Sequence, residues 1–410
     1  MDKYVIEKNW RSKYNVLVPQ ADSMGAIAVI RSLGSNGYTV FAASSKAAAL
    51  GCQSNFATMA VKCPNYDNTY LNWLRAFIEE HNINAIIPSE AFYLAIKDVF
   101  EEFAHLLPIS SSKKVIYQCL CKVDVFEAFL LSENKALTAN ISNTQVITNE
   151  ADIDWQATKQ WQYPLFIKGD GFYAGSGNEA CIIKAENEQQ AQSAVTTMFL
   201  SFSKVIVQDC SAGVKATVNV VFQEGKLLAE SMALATHENP HTGGLTSLRH
   251  SWWQQEMYED AVLRLKFLQW NGPAMVEYKW HEETQSFAFI ELNSRYWAAL
   301  NLDILAGVHF PCIHLDYFFE KLAPDTPIRL EGNIQVRNAL PADFGYMLSS
   351  LKDPQITRFK KFSVAAEFLW LFFHPTIRAD LLFPNDRKLY FINLWAFTKE
   401  LAQACLKRLR

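Results

Sequence analysis

Glu277 interrupts the apolar run Ala274-Met275-Val276-Glu277-Tyr278. After a polar turn the chain returns through Phe287-Ala288-Phe289-Ile290-Glu291-Leu292-Asn293. Side chains alternate along a strand, so Glu291 and Asn293 share a face, and Glu277 opposes them if the two strands are antiparallel neighbours. Three hard oxygen donors of that kind suit Mg²⁺ that keeps waters and shares its remaining positions with nucleotide phosphates. Acids between such apolar flanks are costly to bury without a partner or a metal, which favours a site over two polar-faced strands. Arg295 follows two residues further on.

Two lysines and an arginine extend this chemistry. Lys168 ends the predicted strand Tyr163-Pro164-Leu165-Phe166-Ile167-Lys168 and precedes Gly169-Asp170-Gly171-Phe172-Tyr173-Ala174-Gly175-Ser176-Gly177, whose glycines permit backbone N–H groups to turn toward an anion. There is no GxxxxGK[ST] sequence, so this is not a Walker loop. Lys122, in Cys121-Lys122-Val123-Asp124, is expected to open a helix. His237 and His241 have the spacing of a helical metal pair, but Pro240 and Gly243-Gly244 predict a loop, which argues against zinc. Arg249, at the end of that segment, has the planar fork that can hold a carboxylate or a γ-phosphate.

An acid on one strand and E-x-N-x-R on the next resembles the ATP-grasp superfamily. Here those are Glu277 and Glu291-Leu292-Asn293-Ser294-Arg295, and the resemblance covers residues 110 to 320. It implies that Glu277, Glu291 and Asn293 hold Mg²⁺, with Mn²⁺ as a substitute, and that Arg295 stabilises charge on the transferring phosphoryl group or on the intermediate. It also implies that Lys122 and Lys168, with Gly175 and Gly177 of a glycine-rich lid, meet the ATP phosphates. Gln208, Asp209 and Cys210 would form the hinge at the adenine, and Arg249 would lie along the reaction centre. Two departures stand out. Gln208 replaces an acid often found there, and Lys215 stands where many members place a glutamate for the ribose hydroxyls.

The expected activity is that of an ADP-forming ligase joining a small carboxylate to an amine through an acyl phosphate. An ATP-grasp carboxylase or carbamoyl-phosphate-type enzyme is one alternative, and a non-catalytic nucleotide-binding protein of the same fold is another. The partners are then small molecules, and a homodimer is left open.

The elements that must position these residues follow from the hydrophobic pattern. Strands and helices alternate through the first hundred residues, which predicts a parallel sheet wrapped by helices in a Rossmann-like domain over 1–110. Ligands of such sheets sit beyond the carboxyl ends of the strands, which places Gln20, Ser44, Ser89 and Glu90 at a crevice. The first strand leads into Pro19-Gln20-Ala21-Asp22-Ser23-Met24-Gly25 without GxGxxG, so a nicotinamide dehydrogenase is disfavoured. From 145 onward the pattern becomes α+β with hairpins such as Val221-Phe222-Gln223-Glu224-Gly225-Lys226-Leu227. A two-lobed ATP-grasp domain is expected over 111–322, its lid over 145–205, with a mainly helical extension over 323–410.

Half the residues are hydrophobic and the formal charge is −4, from 38 basic and 42 acidic residues spread along the chain. That is enzyme-like composition with no electrostatic reason for nucleic-acid binding. Eight cysteines without paired CxxC spacing, an N-terminus unlike a secretory signal and no membrane-spanning run predict a reduced, cytoplasmic protein. The run Phe368-Leu369-Trp370-Leu371-Phe372-Phe373 is expected to pack in the core rather than to meet a membrane. The basic residues nearby also fit an interfacial helix.

Overall fold

The structure is a computed structural model, and it describes residues 8–46, 48–174 and 181–408. Four parallel strands come first: β1 (Asn15–Val18), β2 (Thr39–Ser44), β3 (Met59–Lys62) and β4 (Ile83–Ile86), in the order β3-β2-β1-β4. Val16 pairs with Val40 and Leu17 with Ile86, and these residues are fully buried because helices cover both faces of the sheet. The helix Met24–Ser35 starts where the Ser23 hydroxyl accepts from the Ala26 N–H. Near its start Gly25 has no side chain to keep the helix from the Trp297 carbonyl. A β-carbon there would lie 3.1 Å from that oxygen, so the glycine lets this domain close onto the chain just beyond Arg295.

A smaller antiparallel sheet follows, built from β5 (Thr144–Ile147), β6 (Leu165–Gly169), β7 (Cys181–Ala185) and β8 (Val205–Gln208) in the order β5-β8-β6-β7. The helix Glu188–Phe199 buries Ala191, Ala194, Val195 and Met198 against it. Gly175 and Gly177 lie outside the described residues.

The third sheet is the largest. It comprises β9 (Val214–Gln223), β10 (Lys226–Asn239), β11 (Leu245–Ser251), β12 (Pro273–His281), β13 (Ser286–Asn293), β14 (Ile328–Arg329), β15 (Gln335–Arg337) and β16 (Ile377–Ala379). Their order is β13-β12-β9-β10-β11-β15-β16, with β14 beside β10. One face of β9, β12 and β13 puts Ala216, Val218, Val276, Tyr278 and Phe289 into a core shared with Phe126 and Phe129. Burying each such phenylalanine contributes about 1.5–3 kcal/mol, so the opposite face is carried by a rigid platform.

Three features differ from the sequence expectations. The segment Thr236 to Arg249 is not a loop but the end of β10, a short turn and most of β11, with His237 inside β10. Pro240, Gly243 and Gly244 shape only that turn. The chain after 323 is mainly helical as expected, yet it also adds β14, β15 and β16 to the large sheet. The run 368–373 does not enter the core as a whole. Phe368 is buried, whereas Leu369, Trp370, Phe372 and Phe373 are exposed. Consecutive residues on a helix point 100° apart, so Leu369 and Trp370 turn away from the side that buries Phe368, and the helix ends at Trp370, leaving Phe372 and Phe373 in the turn beyond it.

Candidate active site

The register places Glu277 directly opposite Glu291 and opposite Thr217 on the other side, with Met275 opposite Asn293. Opposed residues of antiparallel strands project to one face, so Lys215, Glu277, Lys279, Glu291 and Asn293 all leave the face away from the phenylalanine core. Asn293 Nδ2 donates to Glu291 Oε1 at 2.8 Å, and Arg295 Nη2 donates to Asn293 Oδ1 at 3.3 Å.

Lys122 is the first residue of the helix Lys122–Leu130, and its Nζ reaches Glu291 Oε2 at 2.5 Å. Asp170 fixes this arrangement, because one carboxylate oxygen accepts from the Lys122 N–H at 2.9 Å and the other from the Phe172 N–H at 3.0 Å. The helix start is thereby tied to the segment following Lys168. Lys168 itself, on β6, donates to Gln208 Oε1 at 2.6 Å and has no carboxylate within salt-bridge distance among the described residues. Burial pushes its ammonium down to about 8, with nearby Lys122 adding to the depression and Glu291 and Glu277 opposing it.

The two acids titrate in opposite directions. Burial raises the Glu277 carboxyl even though Lys215 stands 3.1 Å from it and pulls the other way. Burial also works against ionisation of Glu291, but Lys122 and the Asn293 amide hold its carboxyl below the usual range. Glu277, Glu291 and the Asn293 side-chain oxygen form an all-oxygen donor set that fits Mg²⁺, and the raised Glu277 carboxyl would be relieved by a cation. Among the described residues no group of three or more His, Cys, Asp or Glu could hold a metal ion.

Beside this face opens a cavity of ≈ 460 Å³, lined at its polar positions by Gln20, Ser23, Ser89, Glu90 and Arg295 and elsewhere mainly by apolar side chains such as Met24, Val29 and Leu94. Gln20, Ser89 and Glu90 therefore sit at the crevice beyond β1 and β4. Ser44 does not line it. Its hydroxyl donates to Asp22, which pairs with Lys46. Arg295 joins the two regions, with its Nε 3.8 Å from Glu90 Oε2.

The hinge residues lie at the end of β8. Gln208 is buried between Lys168 and the Thr144 hydroxyl, and the Asp209 and Cys210 N–H groups already donate to the Asn143 and Gln162 carbonyls. Asp209 Oδ1 is buried with no hydrogen-bond partner.

Arg249 is placed otherwise than its expected role requires. Its fork is filled by Asp380, at 3.0 and 2.7 Å, and by the Ala299 carbonyl at 3.1 Å, so it is a buried structural cation rather than an open anion clamp. His237 and His241 are likewise bound within the protein, to Asp343 and Asp353 respectively, both at 2.8 Å.

Lys215, Asp170 and Glu238 are site neighbours that the sequence argument did not gather. Lys215 bonds the Gly244 carbonyl at 2.6 Å and lies 3.7 Å from Glu238, which also holds Lys279 at 3.2 Å. Two-residue alternation along β9 and β12 would have put Lys215 and Lys279 on the face of Glu277. Nothing local marks Asp170.

No protein-family model matches the chain, and no curated protein does. Solved structures do. The biotin carboxylase domain of Hydrogenobacter thermophilus 2-oxoglutarate carboxylase, a dimer in complex with MgADP, ADP and bicarbonate, superposes with a TM-score of 0.59 at 17% identity, over 78% of this chain and 73% of that one. N5-carboxyaminoimidazole synthetase from Staphylococcus aureus gives 0.59 at 14%, over 80% and 82%. L-amino acid ligase from Bacillus licheniformis gives 0.52 at 13%, over 74% and 73%. At such identities the likeness is one of architecture. The chain has the ATP-grasp fold.

Proposed function

We propose that this protein is an ATP- and Mg²⁺-dependent ligase that activates a small carboxylate as an acyl phosphate and passes it to an amine, releasing ADP and phosphate. The observation that supports this reading is the gathering of Lys122, Lys168, Glu277, Glu291 and Asn293 about one strand pair, with Arg295 running from Asn293 to the wall of the cavity. Lys168 has no carboxylate partner among the described residues, and a polyphosphate is a ligand that would supply its counter-charge. Lys122 and Lys168 would bind its phosphates. Glu277, Glu291 and Asn293 would hold Mg²⁺, which when bound screens charge on the phosphate oxygens. Arg295 reaches from this cluster to the cavity wall and would stabilise the charge that develops as the carboxylate oxygen meets the γ-phosphorus. The orphaned Asp209 oxygen at the hinge is an acceptor suited to the exocyclic amine of adenine. The cavity, apolar with Glu90 and Arg295 at its polar end, suits the carboxylate and amine substrates. Their convergence there replaces diffusion with positioning.

A second reading takes bicarbonate as the carboxylate. It is favoured by the solved carboxylase bound to bicarbonate and by the carboxyaminoimidazole synthetase among the structural neighbours. One experiment separates the two. Small carboxylates, amino acids and bicarbonate are screened, singly and with amines, for stimulation of phosphate release from Mg-ATP. Stimulation by a carboxylate–amine pair supports the ligase, stimulation by bicarbonate with one acceptor supports the carboxylase, and Mg-ATP binding without stimulated release would contradict both.

A further inference from the structure

The helices Arg358–Trp370 and Lys388–Arg408 are apolar on two sides. Inward, the first buries Val364 and Phe368, and the second buries Leu389. The Phe344 ring meets Phe368 at 5.9 Å and Phe397 at 5.3 Å, so both helices pack on the same helix, Phe344–Lys352. Outward, Phe359, Phe362 and Phe373 are 84%, 75% and 78% exposed, and Trp370, Phe391 and Trp395 are 62%, 60% and 74% exposed. Positions 359, 362, 366, 369 and 370 follow helical three- and four-residue spacing, as do 391 and 395, so each helix presents a stripe rather than scattered residues, with Phe373 in the turn just after the first. Water is a costly environment for so many large apolar side chains in one segment.

Charge identifies what covers them. Residues 344–410 carry eleven lysines and arginines against five acids, net +6, in a chain whose total is −4. Four of the five acids are already engaged: Asp353 by His241, Glu367 by His237, Asp380 by Arg249 and Asp386 by Arg31. We propose that this face docks on an anionic lipid surface, its aromatic stripes entering the headgroup boundary and Arg358, Lys360, Lys361 and Lys388 meeting the lipid phosphates. Aromatic residues interleaved with basic ones are the composition that binds such an interface. A second copy docking through the same face would oppose like charges. No helix among the described residues is long and apolar enough to cross a membrane, so attachment is to one leaflet. The proposal is independent of the ligase reading.

The test is sedimentation of the full chain with vesicles of phosphatidylcholine plus phosphatidylglycerol, and with phosphatidylcholine alone. Binding to the anionic vesicles should be at least about tenfold tighter and should weaken with salt. Two double variants, Arg358→Glu with Lys360→Glu and Phe362→Ser with Trp395→Ser, change only outward side chains. Each should lose about tenfold in binding with an unchanged unfolding temperature. The first variant also keeps the result interpretable if the second folds poorly. Absence of binding to either vesicle, or equal binding by the charge-reversed variant, overturns the proposal. So does a concentration-dependent dimer that the apolar variant abolishes, which would assign the face to a second copy.

Discussion

Two regions of this molecule gather charge away from water, and they do so in different ways. Where the C-terminal segment docks, the buried arginines Arg31, Arg249 and Arg337 each meet a carboxylate. Arg31 holds Asp386 at 2.9 Å and the Asp380 and Leu381 carbonyls at 2.8 Å, Arg249 forks onto Asp380, and Arg337 and His237 share Asp343. On the face of β9, β12 and β13 the pairing is incomplete. Glu291 takes Lys122, Glu277 takes Lys215, and Lys168 is left with an amide oxygen. The first arrangement fixes a chain segment in place. The second leaves Lys168 without a carboxylate partner among the described residues, the kind of incomplete pairing that the proposed ligand would fill.

The contrast can be broken most severely at the dock. Asp380→Asn leaves Arg249 charged and buried without its counter-ion, and should cost about 3–5 kcal/mol of stability in urea unfolding. A loss below about 1 kcal/mol would mean that the pair is not closed in the way described. Glu291→Gln should behave in the opposite manner. Turnover should drop on the order of 10²- to 10³-fold while stability changes by less than about 1 kcal/mol, because the side-chain volume is nearly kept and one charge of the cation site is lost. Full turnover at limiting Mg²⁺ would remove Glu291 from the site.

Smaller effects sharpen the picture within the site. Lys168→Ala should weaken ATP binding on the order of tenfold, and more than Lys215→Ala, since Lys215 is already committed to Glu277, Glu238 and the Gly244 carbonyl. Equal affinities by calorimetry would contradict the ordering. The smallest effect is in the pH dependence. With its ammonium lowered to about 8, Lys168 is charged in both folded and unfolded states below that pH, so its burial costs stability there, and the cost fades as pH rises toward the unfolded value. A bound polyanion favours the ammonium. ATP affinity should therefore decline above about pH 8, by at most about tenfold per pH unit, and Lys168→Arg should flatten the decline. A wild-type profile that stays flat from pH 7 to pH 9.5 would contradict the assignment of Lys168 to the phosphates.

What the sequence disclosed follows the same division. The opposition of Glu277 and Glu291 was legible because strand alternation is local, and the helix opened by Lys122 and the turn at Glu224-Gly225 were legible for the same reason. Arg249 was misjudged because the residue that closes its fork, Asp380, lies far along the chain and carries no local signal. The exposure of 368–373 was missed because an apolar run reports a wish for burial without saying whether the protein supplies it. Lys215 was read for its departure from a family pattern, when alternation along β9 put it beside Glu277.

In the proposed reaction the donor carboxylate attacks the γ-phosphorus of ATP, and an oxygen label tests this directly. With a substrate identified by the phosphate-release screen and carrying ¹⁸O in its carboxylate, the label should appear in inorganic phosphate with ADP as coproduct. Label in AMP, accompanied by pyrophosphate, would show adenylation and contradict the mechanism built on Lys122, Lys168 and Arg295.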